Sequence, residues 1–174
     1  MKGNDFMSDF KKINPSEITE NPFDLIGSDW ALVAAKNGDY CNMMTASWGG
    51  VGIMWNKPAA FTFIRPQRFT YGLMEKEDYY SLSFFDEKYR DALKFCGTKS
   101  GRDFDKAVEC NLTPVFDEKA PYFEEAKLVL ICRKMYAQDM NEQSIIDEKT
   151  VAPQYSGDDY HKMYISEIIK VLKK

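Results

Sequence analysis

The strongest constraint in this chain is the pair Asn37-Gly38, set between two strand-length, largely apolar runs, Trp30 to Lys36 and Tyr40 to Ser47. Asn-Gly readily adopts the left-handed backbone of a two-residue turn, so the segment predicts a β-hairpin at the start of the core. The following segments extend the pattern. Ala59 to Arg65 alternates Phe61 and Phe63 against Thr62 and Ile64, and Tyr79 to Phe85 is a second aromatic run bounded by charge, so both predict strands. Between them, Pro66 suits a first helical turn and Phe69 and Leu73 fall four apart, which predicts a short helix over Gln67 to Lys76.

Glu87 to Cys96 and Arg102 to Cys110 carry apolar residues at helical spacing. Ser100 followed by Asp103 resembles a capping box and sets the start of the second helix at Ser100-Gly101. Lys127 to Met140 and Tyr160 to Leu172 close the chain as long strands. Strands dominate and the helices fall after the first hairpin, an order that suits a closed Greek-key β-barrel better than a doubly wound sheet. Met1 to Gly27 is polar, with Pro15 and Pro22, and reads as an arm; the expected division is an arm over 1–29 and one domain over 30–174.

Composition removes several function classes. A net charge of -4 argues against binding a nucleic-acid backbone, which needs a basic face. No apolar run approaches the roughly 20 residues of a membrane span, and Met1 to Asp5 lacks the outline of a secretory leader, so a cytoplasmic protein is expected. Cys41, Cys96, Cys110 and Cys132 are widely spaced, with no C-x-x-C pair and one histidine in the chain, so no metal site is expected. Aromatic residues make up 14% of the chain, which makes a planar ligand plausible, although a β-rich core and a dimer interface use aromatics as well.

Three segments carry candidate chemistry. Arg65, Arg68 and Arg102 are three of only five arginines and lie in two short stretches. In the first, Arg65-Pro66-Gln67-Arg68-Phe69-Thr70, a strand runs into a helix start, where free N–H groups favour an anion. The second, Lys99-Ser100-Gly101-Arg102-Asp103-Phe104-Asp105-Lys106, combines an expected helix start with a hydroxyl, a glycine and several cations. Each alone also reads as an ordinary cap with solvated charges. The third, Asn42-Met43-Met44-Thr45-Ala46-Ser47-Trp48-Gly49-Gly50, is a strand end breaking into a glycine-rich loop, and equally a packed turn. Its small residues admit close backbone approach, Thr45 and Ser47 offer polar groups, and Met44 and Trp48 offer apolar cover. Together they match what FMN requires: cations for a phosphate, hydrogen bonds for a pyrimidine edge, and packing for a flat ring. No G-x-G-x-x-G follows a strand, so any NAD(P)H binds transiently over the flavin.

This ordered set, with His161-Lys162-Met163-Tyr164-Ile165-Ser166-Glu167-Ile168 near the end, resembles the flavin reductase-like family with an FMN-binding split barrel, and within it the flavoredoxin-type branch. The resemblance spans about Trp30 to Leu172 and implies a six-stranded split barrel, a homodimer and one non-covalent FMN per subunit. It places Asn42, Thr45, Ala46, Ser47 and Trp48 along the ring and ribityl chain, and Arg68, Thr70, Ser100 and Lys106 at the phosphate. Many reductases of the family carry Gly-Asp-His before the last strand; here the triplet is Asp159-Tyr160-His161, and Ser166 replaces a family glycine. The expected function is an NAD(P)H-dependent flavin reductase. Alternatives are a flavoredoxin-like electron carrier serving a redox partner protein or an FMN-binding module without NAD(P)H turnover, a pyridoxamine-phosphate-oxidase-like enzyme, and an interaction domain without cofactor. His161 is a weak catalytic candidate beside a structural role.

Overall fold

The computed structural model describes residues 9–174; residues 1–8, including the stretch inspected for a secretory leader, lie outside the described residues. The strands are β1 (Lys11–Ile13), β2 (Ala31–Asn37), β3 (Tyr40–Ala46), β4 (Gly49–Met54), β5 (Lys57–Ile64), β6 (Tyr79–Phe84), β7 (Pro114–Val115), β8 (Tyr122–Phe123), β9 (Leu128–Asp139) and β10 (Lys162–Lys173). The helices are α1 (Pro22–Asp24), α2 (Phe69–Met74), α3 (Arg90–Thr98), α4 (Lys106–Glu109) and α5 (Glu148–Val151). β7 and β8 pair with each other, and the other eight strands form one sheet in the order β3-β2-β6-β9-β10-β5-β4, with β1 added on β10. Every pairing is antiparallel.

The sheet curls into a barrel that stays open along one line. β3 and β4 stand at the two ends of the strand order, share no ladder, and are joined only by Ser47-Trp48. β9 and β10 supply the curvature: register shifts at Ile165/Ser166 and Ile168/Lys170 bend the pair. β10 can therefore give its first half to β5 and its last three residues to β1.

Alternation sorts the core into two layers. In β2, Ala31, Val33 and Ala35 point into the barrel with Ile64, Tyr80, Leu130 and Tyr164, whereas Leu32 and Ala34 face the helices with Leu93, Cys96 and Ala107. Both faces are covered, which is why β2 is apolar almost throughout. Leu25 and Ile26, within the expected arm, are buried in the barrel layer. One polar chain crosses that interior: the Tyr80 hydroxyl lies 2.8 Å from Thr62 Oγ1 and donates to Ser166 Oγ at 3.0 Å. Ser166 thus completes a hydrogen bond in the barrel wall where the family pattern has glycine.

Four expectations are corrected. The hairpin of β2 and β3 turns at Gly38-Asp39 rather than Asn37-Gly38, because Asn37 is the last residue of β2 and pairs with Tyr40. Gly49-Gly50 opens the strand β4, paired with β5 through a turn at Trp55-Asn56, rather than a loop. Both turn residues have positive φ, 49° and 59°, the backbone of a two-residue hairpin adopted without glycine. The helix expected from Arg102 is the shorter α4, whose start is set by the Asp105 side chain accepting from the N–H groups of Ala107 and Val108. Ser100 instead forms a single turn, its carbonyl accepting from Asp103 and Phe104 and its hydroxyl from Arg102. The helix expected from Gln67 begins at Phe69, with Arg68 at its cap.

Candidate functional site

The three segments meet beside the open seam of the barrel. Thr70, in α2, accepts a hydrogen bond from Asn42 Nδ2 of β3 at 2.8 Å. The Asn42 amide also packs on Gly101, where a Cβ would lie 1.9 Å from Asn42 Oδ1. Glycine is therefore required for the loop after α3 to approach β3 this closely. Arg68 and Lys106 both donate to the carbonyl of Cys96 in the last turn of α3, at 3.2 and 3.0 Å. Cations at a helix C-terminus are favoured by its orphan carbonyls and its dipole.

Two adjoining clefts result, and Arg68 lines both. The first, about 150 Å³, lies at the seam, where Met44, Thr45, Ala46, Ser47 and Trp48 face Phe63, Arg65 and His161. The second, about 210 Å³, is bordered by Thr70 of α2, by Lys99, Ser100, Gly101 and Arg102, and by Lys106. No carboxylate lines it. Arg68, Lys99, Arg102 and Lys106 make no ion pair among the described residues, although the chain is acidic overall. Burial, with Arg65 adding repulsion, lowers the pKa of Arg68. Four cations without a carboxylate partner thus border one concavity and give it a surplus of positive charge.

Not every expected residue has a free polar group in these clefts. Lys106 is only 3% exposed, and its ammonium donates to the carbonyls of Met43 at 2.9 Å and Cys96 at 3.0 Å. Burial pushes it down to about 8. Asn42 does not line the second cleft but an adjoining depression with Tyr40, Cys41, Asp103 and Asp105, which shares Gly101, Arg102 and Lys106 with that cleft. Thr45 lines the first cleft, but its hydroxyl already donates to the carbonyl of Leu93 at 2.5 Å. Arg65 is ion-paired with Asp159, donates to the Gln154 carbonyl at 2.6 Å and stacks on Tyr155 at 5.2 Å. It is the one expected arginine already neutralised.

Sequence reasoning missed Phe63 and underrated His161. The alternation in β5 already held the signal for Phe63: Thr62 and Ile64 are buried, so Phe61 and Phe63 take the opposite face. His161 is 8% exposed, stands 5.1 Å from the Trp48 ring, and has Nδ1 2.9 Å from the Tyr155 hydroxyl. Burial, reinforced by Arg65 and opposed by Asp159, pushes it from 6.5 down to about 4, so it is neutral at pH 7. Because the folded value is depressed, the unfolded chain binds the extra proton between those values. This contribution to stability is complete above about 6.5 and is lost as pH falls towards 4. Between pH 7 and 4.5 the wild type is expected to lose about 2 kcal/mol more than His161→Gln in urea unfolding. Parallel pH curves for the two proteins would refute the burial of a neutral imidazole.

An antiparallel barrel left open along one seam, with an aromatic cleft and a cationic cleft side by side at the opening, defines a class of small-ligand-binding split barrels. Within that class the chain belongs to the family described as flavin reductase like domain, which it matches over residues 23–171. Solved structures share the fold. Flavoredoxin from Methanosarcina acetivorans aligns with a TM-score of 0.67 at 18% identity, covering 84% of this chain and 68% of that one. An FMN-binding protein from Thermus thermophilus aligns with a TM-score of 0.66 at 21% identity, covering 93% and 78%. An FMN-binding domain of a flavin reductases-like enzyme from Shewanella baltica aligns with a TM-score of 0.68 at 15% identity, covering 95% and 78%. No curated protein matches the sequence. Among the described residues no helix is long and apolar enough to cross a membrane, and no cluster of His, Cys, Asp and Glu could hold a metal ion.

Proposed function

We propose that this chain binds FMN non-covalently and passes reducing equivalents through it, with NAD(P)H as transient donor. The observation carrying this reading is the cleft lined by Arg68, Lys99, Arg102 and Lys106 without a counter-charge, directly beside an aromatic cleft. When bound, FMN supplies acceptance of hydride and its release as electrons. In this reading Arg68, Lys99 and Ser100 hold the phosphate with Thr70, Lys106 joins them only by turning its ammonium from the Met43 and Cys96 carbonyls, and Asn42 and Gly101 keep the cradle in shape. Backbone groups from Thr45 to Ser47 meet the polar edge of the ring, and Met44, Trp48 and Phe63 pack against it. Neutral His161, fixed by Tyr155, presents a ring to the same cleft without adding charge. Exposed Trp48, Ile53 and Trp55, on or flanking the edge strand β4, suit a homodimer that covers the seam. A cytoplasmic location goes with this reading.

A second reading, electron carriage for a redox partner protein without NAD(P)H turnover, has its own support. Asp159, where the reductase pattern has glycine, ties the segment before β10 to Arg65 and Gln67 at one flank of the first cleft. The experiment is an absorbance spectrum of the purified chain, an FMN titration followed by fluorescence, and then addition of NAD(P)H. Yellow protein or micromolar binding supports the cofactor, and steady oxidation of NAD(P)H selects the reductase. Colourless protein that leaves FMN fluorescence unchanged overturns both readings. Arg68→Ala is expected to weaken FMN binding about tenfold through one lost charge-assisted hydrogen bond, with little change in folding.

A further inference from the structure

The Cys96 and Cys110 thiols lie 3.8 Å apart, Sγ to Sγ, one in the last turn of α3 and the other capping α4. No other cysteine pair among the described residues is in such contact, and all four thiols are free. Their surroundings differ in a useful way. Cys96 is buried in the layer between sheet and helices, whereas Cys110 is partly exposed. Cys110 lines a cavity of about 490 Å³ with Tyr89, Ala92, Phe95, Glu109 and Asn111, distinct from the two clefts at the seam. A small reagent can therefore reach one sulfur while the second waits behind it. A disulfide requires an S–S distance of about 2.0 Å, and the contact must close by less than 2 Å. Only a short element has to move, since α4 has four residues and Cys110 caps its end.

We infer that Cys96 and Cys110 form a reversible disulfide site that accepts oxidising equivalents from low-molecular-weight organic disulfides. Cys110 loses its proton and attacks one sulfur of the reagent, forming a mixed disulfide and releasing one thiolate. Cys96 then loses its proton, attacks the Cys110 sulfur and expels the second half. In balance, two protein thiols and one small disulfide become one protein disulfide and two small thiols, with both protons passed to the leaving groups. The bond would close a loop over residues 97–109, the stretch that carries Ser100, Gly101 and Lys106. Burial raises the pKa of both thiols, Cys96 to about 12, so the exchange is slow at neutral pH and needs long incubation.

The test is incubation of the full chain with oxidised glutathione, alkylation of remaining thiols under denaturing conditions, and peptide mapping by mass spectrometry. The expected product is a Cys96–Cys110 linked peptide lighter by two hydrogen atoms, reversed by dithiothreitol, with Cys41 and Cys132 still alkylated. In Cys96→Ser, a stable glutathione adduct is expected on Cys110; in Cys110→Ser, Cys96 is expected to remain unmodified. Four alkylated cysteines in the wild type, a lasting adduct on Cys110 without a link, or a link through Cys41 would each overturn the proposal. The wild-type map decides the matter even if a serine variant fails to fold.

Discussion

Gly101→Ala is expected to destabilise the chain by about 3 kcal/mol and to weaken FMN binding at least tenfold. The added methyl carbon would stand 1.9 Å from Asn42 Oδ1 and 2.6 Å from its Cγ, inside the amide rather than at its edge. Asn42 cannot swing aside freely, because it is 5% exposed and its Nδ2 is held by Thr70. Either the Asn42–Thr70 hydrogen bond breaks or the loop after α3 lifts away from β3. Overpacking of this kind costs about 1–3 kcal/mol and a broken buried hydrogen bond a similar amount. A double-mutant cycle isolates the cause. On an Asn42→Ala background the same glycine substitution is expected to cost less than about 1 kcal/mol, leaving a coupling of about 2 kcal/mol. Equal costs on both backgrounds, measured by urea unfolding, would place the strain elsewhere.

Lys106→Met keeps the length of an apolar stem and removes the amine, so it tests the two carbonyls that the amine satisfies. With Met43 stripped of this donor and Cys96 left with Arg68 alone, the fold should lose about 2 kcal/mol at pH 7, after allowing for the relieved burial of a charge. The pH dependence distinguishes this from a general packing defect. Burial lowers the folded value from 10.5 to about 8, so between these limits the unfolded chain binds more protons than the folded one. Stability through this residue therefore rises as pH rises from 8 towards 10.5. A neutral amine still has two N–H donors for its two carbonyls. The gap between wild type and Lys106→Met should widen by about 2 kcal/mol between pH 7 and pH 9.5. A constant gap would show that the amine is not held as described.

What could be read from the chain, and what could not, divides along physical lines. The hairpin of β2 and β3, whose turn falls one residue beyond the expected Asn37-Gly38, the faces of β5 and the strand character of β9 and β10 all follow from local turn chemistry and period-two patterning. β4 escaped because Gly49, Gly50 and Gly52 make a poor strand by composition; pairing with β5 overrides the propensity. The start of α4 was misplaced because Ser100 and Asp105 both offer caps, and tertiary contact with Asn42 holds Gly101 in a turn. That Arg68, Arg102 and Lys106 sit near one another was legible from their crowding in two segments. That Arg65 is neutralised was not, because its partner Asp159 lies 94 positions away and only the topology unites them. Burial of Lys106 was equally invisible, since the acceptors are main-chain carbonyls that every sequence possesses.

The last turn of α3 gives the cationic cleft a built-in stand-in. Arg68 and Lys106 rest their charges on the carbonyl of Cys96, so the helix end already occupies the donors that the proposed phosphate would use. Ligand and helix terminus then bid for the same two donors, and measured affinity is the margin between them rather than the full strength of either contact. An anion that draws both cations away should loosen the end of α3 while tightening everything around it.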